Sequence, residues 1–259
     1  MKDKVNHFKN GHHLNSRYWR NYKKTLPVLP DELVEIAIGM ILGDAHICKI
    51  NKEAFIRFEQ GYKQQAFLEH LFDKFSLYSH MEEPSKRFIN QNKLSSFWFK
   101  TFSHPSFTKI FLLFYTNLTS VPGILPETLV TTEDKVQKQV YFSSSYSSSY
   151  KKKTITPNLI CDYLTARGLA YWIMCDGSLQ RYNKSLILHT QGFSQEENNI
   201  LSNELNLKFK LCTRVIPHNH KKKNTVVRYF VIFIPTEDLM ANLITPYIIP
   251  SMKYKIPQP

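Results

Sequence analysis

Two stretches of this chain read alike, and that likeness constrains the fold more than any other feature. Leu33 to Asp44 reads LVEIAIGMILGD, and Leu164 to Asp176 reads LTARGLAYWIMCD. Each is apolar, of helical length, and ends in an aspartate followed by a small residue, Ala45 or Gly177. Pro27 and Pro30 precede the first stretch, and Asp31 stands where an N-cap is expected. The matches continue on both sides. Asn51-Lys52 stands seven and eight residues after Asp44, and Asn183-Lys184 stands seven and eight after Asp176. Gln60-Gly61-Tyr62 answers Gln191-Gly192-Phe193, and Val121–Pro126 answers Thr245–Pro250. Upstream, Lys23-Lys24-Thr25-Leu26 echoes Lys152-Lys153-Thr154-Ile155. So many pairs in one order imply a duplicated unit.

Each unit carries the same pattern of elements. After the aspartate come two strands, Ala45–Ile50 and Phe55–Glu59 in the first copy, Ser178–Tyr182 and Ser185–Thr190 in the second. A helix follows, Lys63–Ser79 and then Ser194–Lys208. Two more strands are expected at Arg87–Ile89 and Ser96–Thr101, then at Thr213–Pro217 and Val226–Ile234, the latter pair joined by a polar turn, His218–Asn224. A helix closes each unit, Pro105–Leu118 and Glu237–Leu243. The order is αββαββα twice, an α+β fold of two pseudo-symmetric halves. We divide the chain into a basic N-terminal segment 1–30, a first half 31–130, a linker 131–153 and a second half 154–259. The linker contains the run Ser143–Tyr150 and Lys151–Lys153, a low-complexity stretch. An extra edge strand there is the alternative.

Composition narrows the partners. The 259 residues are 42% hydrophobic and 14% aromatic, enough for a packed core. Lys and Arg number 34 against 21 Asp and Glu, a net charge of +13. Such an excess points to a polyanion, nucleic acid or an acidic membrane face, with a merely solvated basic surface as the bland alternative. No membrane span is expected: the longest apolar stretch, Leu33–Ile47, is interrupted by Glu35 and Asp44, and a span needs about 20 apolar residues. Met1–Leu26 is polar and basic, unlike a secretory signal; an organellar transit role is conceivable. Cys48, Cys161, Cys175 and Cys212 form no C-x-x-C pair, which argues against structural zinc and for a reducing compartment. Abundant Lys, Asn, Ile, Phe and Tyr beside only 8 glycines suit an A+T-rich gene, as in organelles.

Asp44 and Asp176 are the sharpest chemical feature. A carboxylate at a helix C-terminus faces the negative end of the dipole, at roughly 0.3–1 kcal/mol. One such aspartate is an ordinary helix stop. Two at equivalent positions ask for a counter-charge, and a hard divalent cation suits carboxylate oxygens. If the two helices pack together, their aspartates meet at one end. Gly39 and Gly43, on one helix face, would permit a close approach; in the second helix Gly168 and Cys175 are small but Tyr171 and Trp172 are large, and shaping an ordinary core is the alternative.

Ile38–Ala45 and Ala170–Gly177 together resemble the paired motifs of the LAGLIDADG homing endonuclease family. The likeness extends to Lys153-Thr154-Ile155, Leu188–Gln191 and Pro246–Lys255, and so covers about Leu33 to Pro257. The second motif departs most, with Tyr171 where the family has glycine. The resemblance implies an antiparallel β-saddle along the DNA major groove, two packed motif helices at its centre, and hydrolysis of both strands of a long site. It implies Asp44, Asp176, Lys153 and Lys255 as catalytic residues. Asp44 and Asp176, with their preceding neighbours Gly43 and Cys175, form the implied metal site, for Mg2+ with Mn2+ as a substitute. Without the resemblance, Lys153 reads as part of a basic linker and Lys255 as a surface lysine. Basic residues on expected strands, Arg57, Arg87, Arg181, Lys184, Arg214 and Arg228, are candidates for DNA contact. Lys221–Lys223 suits phosphate or water, and His218-Asn219-His220 reads as a solvated hairpin turn rather than a nuclease motif. The expected protein is a monomer acting on double-stranded DNA in the mitochondrion, with the chloroplast as the alternative. The rival readings are an RNA-binding intron maturase and a DNA-binding regulator on the same scaffold.

Overall fold

The computed structural model describes residues 13, 16–89, 92–115, 153–180, 182, 185–222, 225–235 and 242–257. The expected linker up to Lys152, most of the last expected helix, and Arg181 and Lys184 lie outside the described residues.

Helix α1, Arg17–Thr25, is capped by the Ser16 hydroxyl and buries Trp19. Helix α2 runs Asp31–Leu42. Its N-cap is Pro30, with no side-chain bond, so Asp31 is the first helical residue rather than the cap. There it still faces the positive end of the dipole, beside Glu32. Strands β1 (His46–Ile50) and β2 (Glu53–Gly61) follow, then α3 (Gln65–Phe75), β3 (Ser85–Ile89), β4 (Lys93–Lys100) and α4 (Pro105–Tyr115). The second half has α5 (Leu159–Tyr163), α6 (Ala166–Asp176), β5 (Gly177–Leu179), β6 (Leu186–Leu188), α7 (Gln195–Phe209), β7 (Arg214–Lys222) and β8 (Thr225–Ile234). A 3-10 turn at Pro250–Lys255 ends the described chain.

The two antiparallel sheets have matching orders, β1-β2-β4-β3 and β5-β6-β8-β7. That correspondence is the duplication in three dimensions. Strand β2 alternates: Ala54, Ile56, Phe58 and Gln60 are buried, while Glu53, Phe55, Arg57 and Glu59 face outward, only partly covered. A period of two is what one packed face and one open face require. Helices α3 and α4 pack on the first sheet and α7 on the second. Ser194 and Glu197 form a capping box at the start of α7.

Two expectations change. Strands β5 and β6 are three residues each, shorter than expected, while β7 and β8 form a longer ribbon with unbroken register from Arg214–Phe233 to Lys222–Thr225. His218 and Asn219 are therefore strand residues rather than turn residues, and His218 stacks on Tyr229 with centroids 5.6 Å apart. The segment read as a turn because it is polar, but a ribbon extending past its helix has no core to demand apolar residues.

Helices α2 and α6 pack together, backbone against backbone. A Cβ on Gly39 would lie 2.0 Å from the Gly168 carbonyl oxygen, and one on Gly43 would lie 2.8 Å from Cys175 Sγ. The first contact, against backbone, needs glycine; the second is against the end of the Cys175 side chain. Tyr171, the departure from the motif, turns to α3 instead: its hydroxyl lies 2.6 Å from His70 Nε2 and its ring packs near Phe67. Among the described residues no helix is long and apolar enough to cross a membrane.

Candidate active site and nucleic-acid interface

The pairing of α2 with α6 brings their C-terminal ends together. One carboxylate oxygen each from Asp44 and Asp176 and the sulfur of Cys175 lie within 4.8 Å of one another. Asp44 follows the end of α2 and is exposed, while Asp176 is the last residue of α6 and is half-buried. The Cys175 sulfur accepts from the Asp44 backbone N–H at 3.1 Å and from Gln60 Nε2 at 3.5 Å. It ties the two helix ends and β2 into one unit.

Both sequence-assigned lysines reach this point. Lys153 Nζ donates to the carbonyls of Ile41, Leu42 (3.3 Å) and Gly43 (3.2 Å). Lys255 Nζ donates to the Cys175 carbonyl at 2.9 Å. These carbonyls at the helix ends lack an intrahelical partner, and a cation there meets the negative end of the dipole. Lys153 is held in place by its neighbours. The Thr154 N–H donates to Phe114 O at 3.0 Å, and the Ile155 N–H to Glu197 Oε1 at 3.0 Å. Lys255 is buried between the buried side chains Met252 and Ile256. The echo at Lys23-Lys24 has no such role: Lys23 pairs with Glu53 at 2.8 Å and Lys24 is exposed.

The electrostatics follow from burial of like charges. Burial and the neighbouring Asp44 push the Asp176 carboxyl up to about 7, against the pull of Lys153 and Lys255. Burial draws the Lys153 ammonium below its usual range, with Asp176, Cys175 and Asp44 opposing. It does the same to Lys255, opposed by the same three groups. Burial, then Asp44 and Asp176, raise the Cys175 thiol well above the ordinary range. Two crowded carboxylates are hard oxygen donors that fit a divalent cation of the magnesium class.

The open face of the first sheet is polar. Cross-strand register sets His46, Arg57 and Lys100 in one row, Glu59 beside Trp98 and Ser85 in the next, and Arg87 beside Ser96 and Gly61. Glu59 Oε2 accepts from Arg57 Nη2 at 2.9 Å, and its Oε1 accepts from Arg87 Nη1 at 2.7 Å and Ser96 Oγ at 2.6 Å. The Arg57 guanidinium lies 4.6 Å over the Trp98 ring. Burial pushes the Glu59 carboxyl up, but the Ser96 hydroxyl and both arginines outweigh it and hold the group below its usual value. Burial, Lys153 and Arg57 lower His46 below its ordinary value.

In the second half, Arg214 lies in the row of Phe233, Ile187 and Ser178, its guanidinium 5.0 Å over the Phe233 ring. Arg228 does not join it. Strand alternation puts Arg228 on the side of the buried Ile232 and Ile234, the face that packs on α7, though its own side chain is exposed beyond the core. His189 flanks the aspartate: its N–H donates to Asp176 O at 3.0 Å, and its ring Nε2 lies 2.8 Å from Ser178 Oγ.

Sequence reasoning missed Glu59, Trp98, Lys100, His46 and His189. The signal available was alternation: Glu59 stands two residues from Arg57 on one strand and so must share its face.

Known proteins share this sequence pattern and this fold. The sequence profile of the LAGLIDADG DNA endonuclease family matches residues 34–132 and again residues 131–241. A probable intron-encoded endonuclease 1 of Wickerhamomyces canadensis is 36% identical over 255 residues, covering 93% of this chain and 91% of that protein. A probable intron-encoded DNA endonuclease 3 of Mycosarcoma maydis is 39% identical over 168 residues, 64% of this chain and 96% of its own length. Among solved structures, the homing endonuclease I-WcaI bound to its DNA recognition sequence superposes with a TM-score of 0.70 at 33% identity, over 96% of each chain.

Proposed function

The chain belongs to the LAGLIDADG DNA endonuclease family, and from that premise we propose that it is a site-specific homing endonuclease that makes a double-strand break in one long DNA target. The observation that carries this reading is the meeting of Asp44 and Asp176 at paired helix ends, with Lys153 and Lys255 on the adjoining carbonyls. A fold needs neither two crowded carboxylates nor a half-buried and a buried lysine beside them. A phosphodiester hydrolase uses both.

In this scheme Asp44 and Asp176, with the Gly43 and Cys175 carbonyls, hold magnesium, for which manganese can substitute. The ion would set positive charge against the scissile phosphate and make water a better nucleophile. Lys153 and Lys255 stabilise the extra negative charge that develops on the phosphate. Cys175 and Gln60 fix the spacing of the aspartates. Arg57 and Arg87 of the first sheet and Arg214 of the second contact DNA from the open faces, with Arg181 and Lys184, which lie outside the described residues, as further candidates. The net charge of +13 serves the same encounter.

We read the units as 31–130 and 154–259, joined by 131–153. The two profile matches, to residues 34–132 and 131–241, support two units. Because one chain carries both copies of the motif, the active unit is a monomer. Intron-encoded relatives support a role in intron mobility and, with the A+T-leaning composition, a mitochondrial location. Intron RNA as a partner, in a maturase role, is the second reading; it has no use for the crowded aspartates. Cleavage selection from a randomised duplex library with magnesium tests the proposal. Recovery of one long cleaved sequence supports it, and failure to cut any duplex contradicts it.

A further inference from the structure

Glu59 is anomalous on its surface. It sits on the open face of a basic sheet in a chain of net charge +13, where a carboxylate weakens attraction to phosphate. Its bonds add little stability in compensation, since pairs this exposed contribute about 0–1 kcal/mol. What they do is fix orientation. Oε2 holds Arg57 on β2, and Oε1 holds Arg87 on the edge strand β3 together with Ser96 on β4. Three strands are joined through one side chain. Arg57 is restrained twice more, by the Trp98 ring and by burial of its Nε, which has no partner among the described residues. Each guanidinium keeps only part of its donor fork for DNA.

We infer that Glu59 is a specificity-determining residue: it positions Arg57 and Arg87 over G·C base pairs in one half of the target, and its one remaining lone pair, on Oε2, accepts from the cytosine amino group of such a pair. The chemistry is complementary within one base pair. Guanine presents N7 and O6 acceptors to arginine in the major groove, and cytosine presents an N4 donor to a carboxylate. A pair offering only an acceptor opposite Glu59 is repelled. The inference rests on the DNA-cleaving reading above.

The test is cleavage selection from a randomised duplex library with the full chain, comparing wild type, Glu59→Gln, Arg87→Gln and Arg214→Gln at enzyme levels that give equal total cleavage. Wild type should require G·C pairs at a short block in one half of the site. Glu59→Gln should reduce that preference by roughly five- to a hundredfold, the range of one good base contact, and Arg87→Gln should act on overlapping positions. Arg214→Gln should alter the other half instead. An unchanged preference in Glu59→Gln, a uniform loss over both halves, or no G·C requirement in the wild-type block would overturn the inference. Glu59→Gln is an isosteric change at a partly exposed site; a wild-type-like thermal melt beside the selection shows that the variant folds, so that a uniform loss then counts against the inference. If wild type cuts no duplex, the endonuclease reading itself has failed.

Discussion

Gly39 and Gly168 meet so closely that a single added carbon on Gly39 would stand 2.0 Å from the Gly168 carbonyl oxygen. This contact sets the distance between α2 and α6, and so the distance between Asp44 and Asp176 several residues further on. Gly39→Ala must push the helices apart. Overpacking of this kind costs about 1–3 kcal/mol, and at roughly 2–4 °C per kcal/mol for a chain of this size the melting temperature should drop by several degrees. Cleavage should fall more than DNA affinity, because affinity resides on the sheets. A melt combined with a binding and cleavage assay checks this.

The lysines differ in what they cap. Lys153 serves the last three carbonyls of α2 and its cap, whereas Lys255 serves one of α6. Lys153→Met and Lys255→Met should both slow single-turnover cleavage by about a hundred- to a thousandfold, about 2.7–4 kcal/mol, with little change in equilibrium binding. Lys153→Met should lose more thermal stability, since more buried acceptors are left unpaired. Binding that falls in proportion to rate would make the lysines plain phosphate contacts, each removing about one unit of salt slope.

The raised Asp176 carboxyl makes a signed pH prediction. Its folded value, about 7, lies above the ordinary 3.8. The stabilisation it contributes to the metal-free protein is therefore complete below about pH 4 and lost as pH rises through 7. Asp176→Asn should flatten that part of a stability-against-pH curve. Divalent-ion binding must displace this proton, so affinity for magnesium or manganese should rise with pH up to about 7 and level off above it. Titration calorimetry in two buffers of different ionisation enthalpy reads the proton directly.

Affinity for duplex DNA should fall steeply with salt, by about 0.9 log units per log unit of salt for each neutralised phosphate. Fluorescence anisotropy between 50 and 200 mM salt, roughly the range over which such losses are large, measures it. A flat response on every duplex would remove nucleic acid as the partner.

What the sequence revealed depended on whether a residue repeats. Asp44 and Asp176 were legible because they stand at matched places in two copies, whereas Gly39 and Gly43 were legible only from helical spacing, which puts them on one face; the second copy has Tyr171 and Cys175 at those places. The lysines were legible only through family motifs, since neither Lys153 nor Lys255 is near an aspartate in the chain. Glu59 was not legible: a search for basic residues passes over the carboxylate that organises them. Arg228 shows the opposite failure. Being basic and in a strand is not enough, because one residue of register decides the face. The long β7–β8 ribbon was missed because polarity was read as a turn.

The most direct measurement is single-turnover cleavage by Asp44→Asn and Asp176→Asn on a selected target with magnesium, alongside equilibrium binding and removal of metal by chelation from the wild type. Each substitution, and chelation, should abolish double-strand cleavage while the fold and DNA affinity persist. Wild-type-like cutting by either variant, or by the metal-stripped protein, would contradict a shared metal site at the meeting of the two helices.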